Sequence, residues 1–335
     1  MLNQSKFSRY LLYAIGEIVL VVIGIIIALQ INNANELRKN KDEEAIMLSN
    51  IKEDFLATRS NFIKTIQRQE RAILYCRDLI DAIETKDYTV HPDTIREKFR
   101  FGAFSYFTIK AVTGSYEAVI GSGKTSIIRN KELLNVLANF SSQYNAGYED
   151  QSKSDNLINL MMTESSAFFP ALSVDPFRNG LNLKKDYSLE ERKEAIKMLY
   201  ENKAFLTYLL QKTRWERVRA SYQKKLLKSL NKVLYQFDID DLTPEKDLYQ
   251  KYVGSYKIKG SGEDSILKIN YVDESLYVHI PNGRVWELVQ FNNSLFYTIA
   301  FNFKVDFGTG EDSENKLWIQ FIDKAPIEFT KIEME

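Results

Sequence analysis

Residues 118–125 of this chain are the stretch that comes nearest to a reactive motif. Ala118, Gly121, Gly123, Lys124 and Thr125 fit a loosened phosphate-loop pattern with Ala in place of the first Gly. In a true phosphate loop a buried strand runs into a helix, so that backbone N–H groups surround the phosphates. Here a short amphipathic helix over Ser115–Ile120 precedes the glycines, and no later run of aliphatics ends in an Asp to hold magnesium. Gly121 and Gly123 therefore read as helix-end and turn residues. A nucleotide-binding enzyme using the 118–125 loop is the competing class. His91, His279 and Cys76 lie far apart and make no zinc pattern. There is no Gly-x-Ser-x-Gly elbow. Asp238, Asp240 and Asp241 lack the Gly and terminal Glu of a calcium loop. No catalytic residue, cofactor or metal is assigned.

Glu17 is the other chemical oddity, because its surroundings are so apolar. Leu11 to Ile31 carries one charge, Glu17, and one amide, Gln30. Roughly 20 apolar residues suffice for a helix to cross a bilayer. The run lacks the small-x-small site of a cleaved signal, since it ends in Ala28, Leu29, Gln30, Ile31, Asn32 and Asn33. An uncleaved anchor is expected. A carboxylate in such a run usually faces protein or water. On a helix Gly16, Glu17, Leu20, Gly24 and Ala28 share a face. Gly24 and Ala28 form a small-x-x-x-small pair that lets two helices approach closely. Gly16, Glu17, Gly24 and Ala28 are thus the candidate interface, for self-association or for another membrane protein. The alternative is that Glu17 sits shallow and reaches the membrane–water boundary. Lys6 and Arg9 before the run and Arg38, Lys39 and Lys41 after it leave the orientation open.

The chain has 45 basic and 45 acidic residues among 335, so nothing global points to nucleic acid. Aromatics at 13% supply core material, and a single cysteine excludes an internal disulfide. Leu37–Glu84 has neither Pro nor Gly and reads as one helix of ~70 Å. Its seam runs Leu48, Ile51, Phe55, Thr58, Phe62, Ile66, Gln69, Ile73, Cys76, Ile80 and Ile83, near-heptad with two polar interruptions. A bundle is preferred to a free coiled coil, because later helices need a partner. Thr85–Pro92 is a turn, and Phe99, Phe101, Phe104, Tyr106 and Phe107 are expected to fill the bundle core. Further helices are expected from Asn130, over Asp150–Phe168, and from the Ser188/Glu191 capping box to Phe237 with a kink near Asn202. Pro170 and Pro176 mark a loop between the last two. In the final stretch Leu206, Leu209, Leu210, Val218, Tyr222, Leu226, Leu230, Val233 and Phe237 form the apolar face. Arg214, Arg217, Arg219, Lys224, Lys225, Lys228 and Lys232 form a basic side, read as solvated, with anionic lipid or an acidic partner as the sharper option.

An acidic linker with Pro244 follows, and then the hydrophobic period changes to two. Eight short strands are expected: 252–258, 265–272, 275–280, 284–290, 294–299, 303–307, 317–322 and 327–332, with turns such as Pro281-Asn282-Gly283. They suggest a small antiparallel barrel or half-barrel, whose interior holds either side chains or an apolar ligand.

The segment Lys6–Asn33, with Gly16-Glu17, Gly24 and the 28–33 ending, resembles the opening of a family of uncharacterised single-pass membrane proteins of Bacteroidetes-type bacteria. Ser122–Lys124 followed by Ile127–Leu133 resembles a second stretch of that family. The family usually has a Trp where this chain has Ala34. The resemblance covers residues 5 to about 240, brings no known activity, and implies the amino terminus inside and the bulk outside the cytoplasm. The last 85 residues resemble the small β-domain appended to some penicillin-recognising serine hydrolases, through Tyr252–Tyr256, Leu267, Ile269, Leu276–Val278 and Phe329–Ile332. This implies a fold and an export-side location only.

The expected architecture is α+β: tail 1–9, transmembrane helix 10–32, helical bundle 33–237, linker 238–250 and β-domain 251–335. The expected role is non-catalytic binding, sensing or scaffolding at the inner membrane, with the bulk in the periplasm. Lipid or small-ligand binding by the barrel is the alternative.

Overall fold

The computed structural model describes residues 4–173, 187–240, 242–243, 245–258, 265–281, 283–299, 303–308, 315–321 and 324–332. Pro176, Asp241, Pro244 and Asn282 lie outside them. The fold is α+β, with a long apolar N-terminal helix, further helices, and an eight-stranded antiparallel barrel at the C-terminal end. The chain divides into two compact units, residues 1–54 with 113–131, and residues 55–112 with 132–335. Helix α1, Gln4–Thr85, is one element shared by both.

In the first unit the side chains from Leu11 to Ile31 are all exposed, as at Leu12 (71%) and Leu20 (74%). This is the one described helix long and apolar enough to cross a membrane. The rest of the unit is α3 (Gly114–Gly121) and a 3₁₀ turn (Lys124–Ile127), held to α1 by three carboxylates. Asp54 accepts from the Ser115 N–H at 2.9 Å, satisfying one orphan donor at the start of α3. Glu43 pairs with Lys124. Glu44 accepts from the Arg129 backbone N–H at 2.6 Å and from its Nε at 3.0 Å.

In the second unit the lower part of α1 packs with α2 (Pro92–Lys98), a π-helical turn (Phe99–Ala103), α4 (Lys131–Ala146), α5 (Gln151–Glu164), α6 (Phe169–Ser173), α7 (Leu189–Glu201) and α8 (Lys203–Leu234). The expected 150–168 helix ends at Glu164, and Pro170, expected in a loop, lies in the first turn of α6, where its missing N–H is tolerated. The Ser188/Glu191 capping box forms as expected. The expected kink is a full break: Asn202, at φ −83° and ψ 92°, ends α7 and caps α8 by accepting from the Phe205 N–H. Phe99 centres the aromatic core, 5.0 Å from Phe104, 6.0 Å from Phe168 and 5.6 Å from Phe205 between ring centroids. Phe101, expected in that core, is instead 39% exposed. Gly102 explains why: a Cβ there would lie 2.8 Å from the Cys76 backbone nitrogen and 2.9 Å from Tyr75. The π-helical turn lies flush on α1 through Gly102, so Phe101 on its far side turns outward.

The expected linker contains a helix, α9 (Glu245–Tyr252). All eight strands form: β1 (Gly254–Lys257), β2 (Ile266–Val272), β3 (Ser275–His279), β4 (Val285–Gln290), β5 (Leu295–Thr298), β6 (Phe303–Asp306), β7 (Lys316–Phe321) and β8 (Ile327–Ile332). They run in sequence order and close between β1 and β8, with Ser255 opposite Ile332. Alternation sends Leu267, Ile269, Leu276, Val278, Val305, Leu317 and Ile319 inward. From α9, Tyr249 and Tyr252 join them, Tyr252 stacking on Phe307 at 3.8 Å. An eight-stranded barrel is just wide enough for side chains to fill, and these buried side chains form its core.

Candidate functional site

The expected basic, solvated side of α8 is corrected by the structure. Arg214, Arg217 and Lys225 face outward, but Arg219 and Lys224 are 1% exposed, and Lys228 and Lys232 are half-buried. Conversely Leu210 (44%) and Val218 (41%), expected in the apolar face, are exposed. The cause is a strap, residues 104–113, that crosses the bundle without helix or strand. Its backbone N–H and C=O groups need partners where water is excluded. Side chains supply them. Lys212 Nζ donates to Gly102 O at 3.1 Å and Ser105 O at 2.9 Å. Gln69 Oε1 accepts from the Phe107 N–H at 2.8 Å, and Gln223 Nε2 donates to Phe107 O at 2.6 Å. Thr58 Oγ1 accepts from the Val112 N–H at 2.8 Å and the Tyr144 hydroxyl from the Ala111 N–H at 3.0 Å. Thr58 and Gln69 are the two polar interruptions of the α1 seam, and serving the strap is what they do there.

At the centre lies Glu216, fully buried. Its carboxylate accepts from Gln69 Nε2 at 2.8 Å, from Arg219 Nε at 2.9 Å and from the Ser154 hydroxyl. Lys212 Nζ stands 4.0 Å away. The Arg219 guanidinium lies 4.6 Å from the ring centroids of both Tyr106 and Tyr148, a cation–π sandwich, and also bonds Gln151. Three donors and complete burial hold this carboxylate in one geometry.

A second polar row on α8 meets the barrel. Lys224 Nζ pairs with Glu70 at 2.8 Å and donates to Thr298 O at 2.9 Å. Lys228 pairs with Glu287 at 2.6 Å. Asn231 donates to Gln290 O at 2.8 Å and accepts from Arg59 Nε at 2.9 Å. Burial holds the Arg59 guanidinium below its ordinary range. Bundle and barrel are thus joined by buried, paired charges rather than by a loose tether.

Burial also pushes the hydroxyls of Tyr148, Tyr200 and Tyr252 up to about 12, with Arg219 pulling Tyr148 the other way. Above the ordinary value of 10.0 the unfolded chain loses these protons while the folded chain keeps them. Stability is therefore expected to hold up to about pH 10 and to fall progressively toward about 12. Denaturant midpoints measured against pH, with tyrosinate absorbance lagging in the folded state, check this; a flat profile through that window would refute it.

Gly16, Glu17, Gly24 and Ala28 are all exposed on α1, and a Cβ at either glycine would meet nothing within 4 Å. In the 118–125 loop, Gly121 ends α3, Gly123 is left-handed at φ 70°, and Lys124 is held by Glu43. A helix, not a strand, leads into it. His91 caps α2 by accepting from the Asp93 N–H at 3.2 Å, His279 lies 3.3 Å from Asn270 on the barrel, and Cys76 is buried in the bundle. Among the described residues no group of three or more His, Cys, Asp or Glu is placed to hold a metal ion.

One family model matches residues 17–188, just over half of the chain. The chain belongs to the family of unknown function DUF6090. The DUF6090 match takes in Glu17, the rest of α1, the carboxylate-held arm Gly114–Ile127 and the strap, and it stops before α7. Within DUF6090 boundaries lie Gln69, Gly102 and Ser154; their partners Glu216 and Lys212 lie beyond. No curated protein and no solved structure matches the chain.

Proposed function

We propose that this chain is a membrane-anchored, non-catalytic binding, sensing or scaffolding protein of the cell envelope, with α1 in the inner membrane and the bundle and barrel in the periplasm. The observation that carries the reading is the run of exposed aliphatic side chains from Leu11 to Ile31, which water does not tolerate and lipid does. The face of Gly16, Glu17, Gly24 and Ala28, exposed in the single chain, is the self-association surface. The burial of Glu216 and the three donors on its carboxylate support positioning over catalysis. The resemblance of the β-domain to export-side domains supports the periplasmic placement. Reporter fusions at the C-terminus test the topology: active alkaline phosphatase with a dark fluorescent protein is expected. The reverse pattern would overturn the placement and return the Lys124 loop to contention. In the same strain Glu17→Leu is expected to abolish a cross-linked dimer without loss of membrane insertion. Unchanged cross-linking would remove the interface.

A further inference from the structure

Two clefts meet on the outer side of α1. The smaller, of about 280 Å³, is lined by Arg68, Arg71, Tyr75, Glu97, Phe101 and Phe107. The larger, of about 480 Å³, runs from Gln67 and Arg71 to Lys304 and Gln320 on the barrel. Arg71 and Tyr75 line both and form a shared wall. Arg68 and Arg71 are exposed and have no acidic partner among the described residues. Of the acids present, Glu70 is engaged by Lys224 and Glu97 accepts from the Tyr75 hydroxyl at 2.9 Å. Phe101 offers an exposed ring, with the Arg100 guanidinium 5.1 Å from its centroid.

We propose that this double cleft binds an extended acidic peptide segment that carries aromatic or aliphatic side chains beside its carboxylates. Charge complementarity names the occupant: unpaired guanidiniums prefer planar carboxylates, which they grip bidentately. The Phe101 and Tyr75 surfaces take the apolar side chains, and the Gln67 and Gln320 amides suit a peptide backbone. Two compartments flanking one wall suit a chain better than a small anion, which would fill neither. The site deepens the proposed binding role and rests on it. Its occupant would touch Phe107, whose backbone N–H and C=O are held by Gln69 and Gln223. Binding would thereby reach the Glu216 network.

The test uses full-length protein in detergent micelles and a fluorescein-labelled peptide of alternating glutamate and phenylalanine, read by anisotropy. Saturable binding that weakens with salt is expected, with Arg71→Glu losing at least about ten-fold in affinity. Lys225→Glu, on α8 away from the clefts, is expected to leave it unchanged. Equal binding by Arg71→Glu with unaltered circular dichroism would overturn the proposal, as would no saturable binding at millimolar peptide. Full competition by inorganic phosphate would also overturn it, by reducing the site to a general anion patch. None of these outcomes depends on membrane orientation, so the topology fusions fail or succeed separately.

Discussion

Replacing Glu216 by Ala is expected to destabilise the folded chain by about 3–5 kcal/mol. The loss does not come from one ion pair. Glu216 is 0% exposed and accepts from Gln69, Ser154 and Arg219, with Lys212 at 4.0 Å. Removing the carboxylate leaves two cations buried with no counter-charge, and the penalty for an uncompensated buried charge exceeds the net value of the pair. The damage would also spread. Lys212 holds Gly102 O and Ser105 O, so its displacement releases the strap. A surface pair provides the contrast. Lys197 and Glu194 are 2.9 Å apart but 59% and 65% exposed, and Lys197→Ala is expected to leave the unfolding midpoint essentially where it is. Denaturant midpoints of the two variants, measured in micelles by circular dichroism, compare them directly. If Glu216→Ala matched Lys197→Ala, the buried network would not be holding the bundle.

Gly102→Ala is expected to cost about 1–3 kcal/mol by overpacking. The new methyl would meet the Cys76 nitrogen at 2.8 Å and the Tyr75 carbonyl carbon and Cβ at 2.9 Å. Two of these three atoms belong to the α1 backbone and cannot rotate away. The π-helical turn must therefore lift off α1, and the lone cysteine reports it. Cys76 is buried, and burial holds its thiol above the ordinary range, so the native protein is expected to resist maleimide. Gly102→Ala is expected to label much faster. Gly121→Ala, where a Cβ meets nothing within 4 Å, is expected to leave labelling unchanged. Identical labelling in all three proteins would contradict the close approach.

The barrel is the most legible part of the sequence. Strands with one face inward carry their pattern locally, and Leu267/Ile269, Leu276/Val278 and Leu317/Ile319 declare it at a spacing of two. Helix α9 is not legible, because the segment around it is acidic and lies next to a proline. The inward polar face of α8 is hidden for a different reason. An apolar stripe reads as the buried face on the assumption that the neighbour is apolar too. Here the neighbour is a stretch of bare backbone, and its buried carbonyls select Lys212 and Gln223. A trace of this is visible in Thr58 and Gln69, two polar residues at seam positions of α1, whose partners lie 54 and 38 residues downstream. In the sequence the carboxylates Glu43, Glu44 and Asp54 are only charges near an apolar segment; their role as clamps for Ser115, Lys124 and Arg129 needs three dimensions to see.

The strap has a further consequence for how the chain reaches its native state. Gly102 and Phe107 leave the ribosome more than a hundred residues ahead of Lys212 and Gln223, which stand 110 and 116 positions further on. Until those donors arrive, the Gly102, Ser105 and Phe107 carbonyls have only solvent to satisfy them, and their ordering must wait on closure of a very long loop. The barrel is built from adjacent hairpins apart from its closing β1–β8 pair, in which Ser255 meets Ile332. Ordering of the strap is thus tied to the arrival of α8, and the bundle on the lower part of α1 closes as a unit rather than piece by piece.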